Sequence, residues 1–221
     1  SGDLVTMKYD ATGGNAGNFG AIRIDGPGAA TYNNSVRYGS TTVACADGTP
    51  GCAPGACPGT YPAACAETSP ECDGPDCQPQ TGNLIGPTRT GVDFRMNNTM
   101  ASCDTFDEVF NNPDADGVYQ LTNGCNPYID GPGKCQTSTS ICSRRVIIIP
   151  VVDSFGNGAS DPATIQRFAI LFLEGYDNGK CQGNECEIKG RFVKAELTTG
   201  ALAGIAAGTR DAKVVVMAGV V

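Results

Sequence analysis

The chain has 221 residues, 40% of them hydrophobic, which suffices for one large domain or two small ones with a sizeable core. Its formal charge is -8, from 23 acidic and 15 basic side chains, so it lacks the clustered Lys and Arg with which proteins meet nucleic acid or an anionic membrane surface. The absence of histidine removes Ser-His-Asp and Cys-His pairs, HExxH metal sites and haem attachment, and 12 cysteines remain to be explained.

At the N-terminal end, Leu4-Val5-Thr6-Met7-Lys8-Tyr9 is a run of strand formers. The glycine- and asparagine-rich stretch 12–18 turns it into a second run at 19–24, which predicts a hairpin. Next come Cys45, Cys52, Cys57, Cys65, Cys72 and Cys77, in the pattern C-x6-C-x4-C written twice. An even count at such spacings reads as a disulfide framework, and disulfides persist where the solvent is oxidising. Metal is the competing explanation: structural zinc prefers pairs from C-x2-C to C-x4-C, usually with histidine. The chain offers C-x4-C at Cys52/Cys57, Cys72/Cys77 and Cys181/Cys186 but no C-x2-C and no histidine, so disulfides are the preferred expectation. Residues 45–79 are rich in Gly, Pro and Ala and cannot bury a core, so they are expected to form a cystine-stapled excursion from the domain.

A helix is predicted near 87–97. Pro87 reads as the first helical position, where its missing N–H would be unpaired anyway. Val92 and Met96, four apart, would face inward, and Leu84 or Ile85 would pack back on the first turn. Arg89, on the first turns, is expected to tie the loop 82–87 to the sheet.

Asp104, Asp107 and Glu108 could in principle do acid–base chemistry, but neighbouring carboxylates in an acidic chain usually form a solvated face. Asn112-Pro113-Asp114-Ala115-Asp116-Gly117 places oxygen ligands at alternate positions before a glycine turn, like the start of a calcium loop. The twelfth position is Asn123 and not the bidentate glutamate of such loops, so an Asx-rich turn is the preferred expectation over a calcium site at Asn112, Asp114 and Asp116. Asn33-Asn34-Ser35 and Asn97-Asn98-Thr99 fit the glycosylation sequon.

The continuous β-branched run from Arg145 to Val152 suits a central strand buried on both faces. Residues 165–174 and 187–197 read as strands around a loop at 175–179, with Cys181 and Cys186 pairing at a hairpin tip. Cys103, Cys125, Cys135 and Cys142 complete the set expected to be oxidised. The stretch 198–212 reads as a Gly/Ala linker, and 213–221, with Val214, Val215, Val216 and Val220, as a terminal strand that must find an edge. It could fold back onto its own sheet or join that of a neighbouring subunit as an assembly strand. No stretch approaches the ~18 apolar residues of a spanning helix, and any signal or anchor is expected upstream of Ser1.

Several of these segments together resemble the extracytoplasmic part of TadE/TadG-like bacterial envelope proteins, which are related to Tad, or Flp, pilus assembly. The blocks are Asp3-Leu4-Val5-Thr6-Met7-Lys8, Gly17-Asn18-Phe19-Gly20-Ala21-Ile22 and Asp25-Gly26-Pro27-Gly28, then GNxxGPTRxGVD from Gly82 to Asp93, the most specific. Arg144 to Pro150, Phe168 to Gly175 and Gly190 to Val193 follow the same pattern. The resemblance implies a surface or pilus-associated structural role and no catalytic residues.

The expected protein is therefore mainly β, a β-rich α+β fold with a β-sandwich-like sheet domain at 1–197, one short helix and the excursion at 45–79. It is expected to be non-enzymatic, extracellular or at the bacterial cell surface, and to contact itself or other envelope or pilus subunits, without nucleic acid or membrane contact from this segment. The alternative is a secreted adhesin-like binding module that takes a glycan, with calcium as its only candidate cofactor.

Overall fold

A computed structural model of the chain describes residues 2–9, 18–23, 25–39, 80, 82–99, 101–122, 124–125, 143–152, 165–196 and 217–220. The excursion at 45–79, Cys135 and Cys142, Asn123, the linker at 198–212 and Val214, Val215 and Val216 lie outside the described residues.

In chain order the strands are β1 (Leu4–Tyr9), β2 (Asn18–Ala21), β3 (Tyr119–Gln120), β4 (Val146–Val152), β5 (Ile165–Gln182), β6 (Glu185–Val193), β7 (Ala195–Glu196) and β8 (Met217–Val220). The helices are α1 (Ala29–Tyr38), α2 (Ile85–Asn97) and the single turn α3 (Phe106–Val109). The fold is thus strand-rich α+β, as composition and pattern lead one to expect.

β4 is the centre. All its residues are buried, as a run of Val and Ile without polar alternation requires. One side pairs antiparallel with β5, from Val146 opposite Phe172 to Pro150 opposite Phe168, and the other pairs parallel with β8 at Val151 and Val152. Pro150 has no N–H to give a ladder, and among the described residues it lies just before the β8 pairing begins. β5 and β6 are antiparallel, and β6 pairs antiparallel with β1 from Leu4 opposite Arg191 to Lys8 opposite Glu187.

The sheet closes on itself in the order β1-β2-β8-β4-β5-β6, where a sandwich-like pair of layers is expected from the sequence. The pairing of β5 with β6 shifts register between Leu173 and Gly175 and again between Tyr176 and Cys181. Bulges of this kind increase local twist and bend a strand enough for a sheet to curl.

The same bulges correct the loop expected at 175–179. Those glycines and polar residues lie within β5, with Gly175 at φ 147°, and the turn is the two-residue Gly183-Asn184, with Gly183 at φ 67°. The hairpin expected between β1 and β2 is also corrected, since Lys8 opposite Asn18 and Tyr9 opposite Phe19 pair in parallel. β1 has its long antiparallel partner in β6 instead, and β2 runs antiparallel to β8.

α1 was not legible in advance, because Ala29-Ala30-Thr31-Tyr32-Asn33-Asn34-Ser35-Val36-Arg37-Tyr38 is poor in helix formers. It exists by packing on α2. Val36 lies against Gly91, the Tyr32 and Thr88 hydroxyls meet at 2.9 Å in a buried contact, and the Asn33 amide donates to the Pro87 carbonyl at 2.6 Å. α2 begins at Ile85, so Pro87 is its third residue, still within the turn whose N–H groups are free. Leu84, Ile85 and Val92 are buried and Met96 packs against the core.

Beyond α2, Phe106 and Phe110 pack against the fully buried Phe172, with Phe106 and Phe172 edge to face at 5.6 Å, and Tyr119 packs in turn on Phe106 and Phe110. α3 is held by Glu108, whose carboxylate accepts the Thr105 amide at 2.9 Å and the Asp104 amide at 3.1 Å.

Candidate functional site

Along α2, Ile85, Thr88, Val92 and Arg95 fall on one buried stripe at helical spacing, so an arginine occupies a core position. Arg95 is 7% exposed. Its guanidinium is taken up by main-chain carbonyls: Nε donates to Val36 in the last turn of α1, and Nη1 donates to Arg144 at 3.0 Å. Val36 offers one of the carbonyls that a helix end leaves without an intrahelical donor. The Arg144 amide in turn donates to the Thr99 hydroxyl at 3.1 Å, which fixes the turn before β4.

Both acceptor carbonyls belong to, or immediately precede, a further arginine. Arg37 and Arg144 therefore meet at one ring, their Cζ atoms 4.5 and 4.9 Å from the Phe94 centroid and 5.7 and 5.9 Å from that of Tyr38. Tyr38 and Phe94 pack edge to face at 5.0 Å, and Tyr38 is 46% exposed. Ring faces attract guanidinium charge, which partly offsets the repulsion between the two cations. The Nε atoms of Arg37 and Arg144 are nonetheless buried without a hydrogen-bond partner, and neither side chain forms an ion pair among the described residues. Burial holds the Arg144 pKa below the usual arginine value, with Tyr38 acting weakly in the opposite sense.

Sequence patterns missed this cluster. The legible signals were the tandem Arg144-Arg145 in an acidic chain and an arginine in phase with Ile85, Thr88 and Val92 on the helix. The structural role expected of Arg89 belongs to other residues: Arg89 is exposed and pairs only loosely, at 3.5 Å, with Asp93. Asn83 instead links the loop before α2 to the β5–β6 tip, reaching the Gly183 carbonyl and the Asn184 side chain, each at 3.3 Å.

The other candidates are resolved one by one. Asp114 turns its Oδ1 onto its own loop, accepting the Asp116 and Val118 amides at 2.9 Å each around Gly117 at φ 71°. That is the Asx-rich turn; Asn112, Asp114 and Asp116 are all exposed, and among the described residues no group of three His, Cys, Asp or Glu could hold a metal ion. Of the carboxylate trio, Asp104 is claimed by Arg145, at 2.7 Å from Nε and 2.6 Å from Nη2, and Glu108 by the α3 turn. Hydrogen bonding from the Thr105 amide holds the Glu108 pKa below the usual carboxylate value. In the first sequon, Asn33 spends its amide on Pro87.

Two disulfides are formed among the described residues, Cys103–Cys125 and Cys181–Cys186. The second joins opposed residues of β5 and β6 at the hairpin tip, as expected. The chain accordingly belongs to an oxidising, non-cytoplasmic location. No helix among the described residues is long and apolar enough to cross a membrane. β8 lies between β2 and β4, so both its edges are paired within its own chain, which is the fold-back arrangement and not the assembly strand at Val220. No known protein family, curated protein or solved structure matches the chain.

Proposed function

We propose that the chain is a non-enzymatic structural domain of the bacterial cell envelope, extracellular or at the surface, and associated with a pilus or filament of the Tad type. The observation that carries this reading is the placement of both disulfides inside the core: Cys103, Cys125, Cys181 and Cys186 are 2–4% exposed. Buried cross-links serve endurance in an oxidising medium. The segments that resemble TadE/TadG-like proteins support the same reading, since they coincide with β1, β2, α2, β4, β5 and β6 and thus with the packed body of the domain.

Partners on this reading are further copies of the chain or other envelope subunits, docking through surfaces and loops, because β8 is already paired on both edges. A second reading, an adhesin-like module for an acidic glycan, draws on the arginine cluster beside the exposed Tyr38.

The test is fractionation of the producing cell with immunogold labelling and negative-stain imaging of the native extracellular material. Label on ordered surface filaments, with unreduced mass spectrometry finding no free thiol, is the expected result. Label confined to the cytoplasm, or reduced cysteines at 103, 125, 181 and 186 in freshly isolated protein, would overturn it.

A further inference from the structure

We propose that Arg37 and Arg144, held against Phe94 and opened to solvent beside Tyr38, form a binding site for an oxyanion, a carboxylate or phosphate group of an acidic ligand. Four observations converge on it. The two guanidiniums stand near one ring, 4.5 and 4.9 Å from the Phe94 centroid, without a carboxylate counterpart among the described residues. In a chain of net charge -8, with more acidic than basic side chains to draw on, two cations set against one ring without a carboxylate among the described residues are a placement that an anion would complete.

Second, both Nε atoms are buried and lack an acceptor. Buried donors are ordinarily satisfied, and where they are not, a group absent from the protein itself is one of the standard explanations. Third, a guanidinium that rests on an aromatic face keeps its N–H groups in the ring-parallel plane, where the terminal Nη groups match carboxylate and phosphate oxygens. Fourth, the site is pre-organised at the level of the backbone. Arg95 spends its own donors on the Val36 and Arg144 carbonyls, so it positions both arginines without competing for the ligand. Tyr38, 46% exposed, leaves the cluster open to solvent on one side.

The shared ligand chemistry is an oxyanion, and two probes separate its sources. The full-length oxidised chain is titrated with inorganic phosphate and, separately, with glucuronate, at constant ionic strength set by chloride. The arginine Nε–H resonances are followed by NMR. Saturable shifts at Arg37 and Arg144 with phosphate identify a phosphate site, and with glucuronate a carboxylate site; either supports the proposal. Arg37→Gln should weaken the saturating probe at least tenfold, and Arg37→Lys, which keeps the charge and loses the fork, should weaken it nearly as much. Arg89→Gln, an exposed arginine outside the cluster, should bind as the unchanged protein does. Spectra of each variant in the absence of probe verify the fold, and Arg37 is preferred over Arg144 because it lies on the surface helix. No saturation by about 10 mM of either probe, a range that would mean binding weaker than ordinary recognition, overturns the proposal. So does equal binding by a folded Arg37→Gln chain.

Discussion

Val36 and Gly91 touch across the α1–α2 interface so closely that a Cβ built on Gly91 would stand 2.7 Å from the Val36 Cβ. Alanine at an exposed helix interior would stabilise by about 1 kcal/mol relative to glycine. Overpacking a filled interface costs about 1–3 kcal/mol, and Val36 is fully buried with a β-branched side chain that has little freedom to withdraw. The clash should win, so Gly91→Ala is expected to lower unfolding free energy in urea titration by about 1–2 kcal/mol. A gain in stability would show that the helices separate without cost.

Arg95 joins two carbonyls through the rigid fork of one guanidinium. Lysine carries a single ammonium on a flexible stem and would reach one of them. Arg95→Lys should therefore leave a buried carbonyl without its donor and lose about 1–3 kcal/mol, while exposing the Tyr38 side of the helix pair to faster amide exchange. Unchanged urea midpoints for Arg95→Lys would mean that the two carbonyls find water instead.

How far the sequence foretold this structure depends on whether local pattern or distant packing decides each element. β4 was legible because a run of Val and Ile has no amphipathic alternative, and α2 because Pro87, Val92 and Met96 carry helix-start and face signals. The Cys181–Cys186 pair was legible from spacing. By contrast, α1 is held by contacts to residues more than fifty positions away, Tyr32 to Thr88 and Asn33 to Pro87, and its own composition argues against a helix. The parallel pairing of β1 with β2 and the closure through β8 are equally nonlocal. Gly175 and Asp177 carried true irregularity signals, but a bulge inside a long strand and a loop between strands share the same residue types. The arginine cluster was hidden for a related reason: its residues come from α1, α2 and the turn before β4, and only their tertiary meeting gives them a role.

The two disulfides should differ in worth. Cys103–Cys125 closes a separation of 22 residues and Cys181–Cys186 one of 5. In the chain-entropy account the longer loop contributes about 3 kcal/mol and the shorter about 2 kcal/mol. Paired Cys→Ala substitutions compared by thermal unfolding should show the larger loss for 103 and 125. The reverse order would mean that the hairpin tip, which Asn83 ties to the loop before α2, anchors more than its own loop.

Tyr176 makes the fold sensitive to alkali. Its hydroxyl lies 2.9 Å from Asp93 Oδ1 and 3.0 Å from the Arg89 carbonyl, and burial, followed by that contact with Asp93, raises its pKa well above the usual tyrosine value. The folded chain therefore holds this proton at pH values where the unfolded chain has released it. The sign follows: the contribution is intact below the unfolded value of about 10 and declines as pH rises beyond it. Melting temperature should fall between pH 9 and 11 more steeply in the unchanged protein than in Tyr176→Phe. Parallel curves would assign the alkaline loss to other groups.

β8 supplies the closing seam of the sheet, with Phe19 opposite Gly219 on one side and Val151 opposite Gly219 on the other. Removing residues 212–221 would free an edge of β2 and an edge of β4 at once. The β4 edge is the more dangerous, because Val146-Ile147-Ile148-Ile149-Pro150-Val151-Val152 is uniformly apolar and carries no charge to deter another strand. Pro150 blunts the middle of that edge, but Val151 and Val152 would stand with unpaired backbone groups. A truncated chain is therefore expected to be less stable and to aggregate with increasing concentration, as light scattering and size-exclusion chromatography would register. A folded, monomeric truncation with an unchanged melting temperature would show that β8 contributes nothing to its own sheet, and would return the terminal segment to the role of a strand offered to a neighbouring subunit.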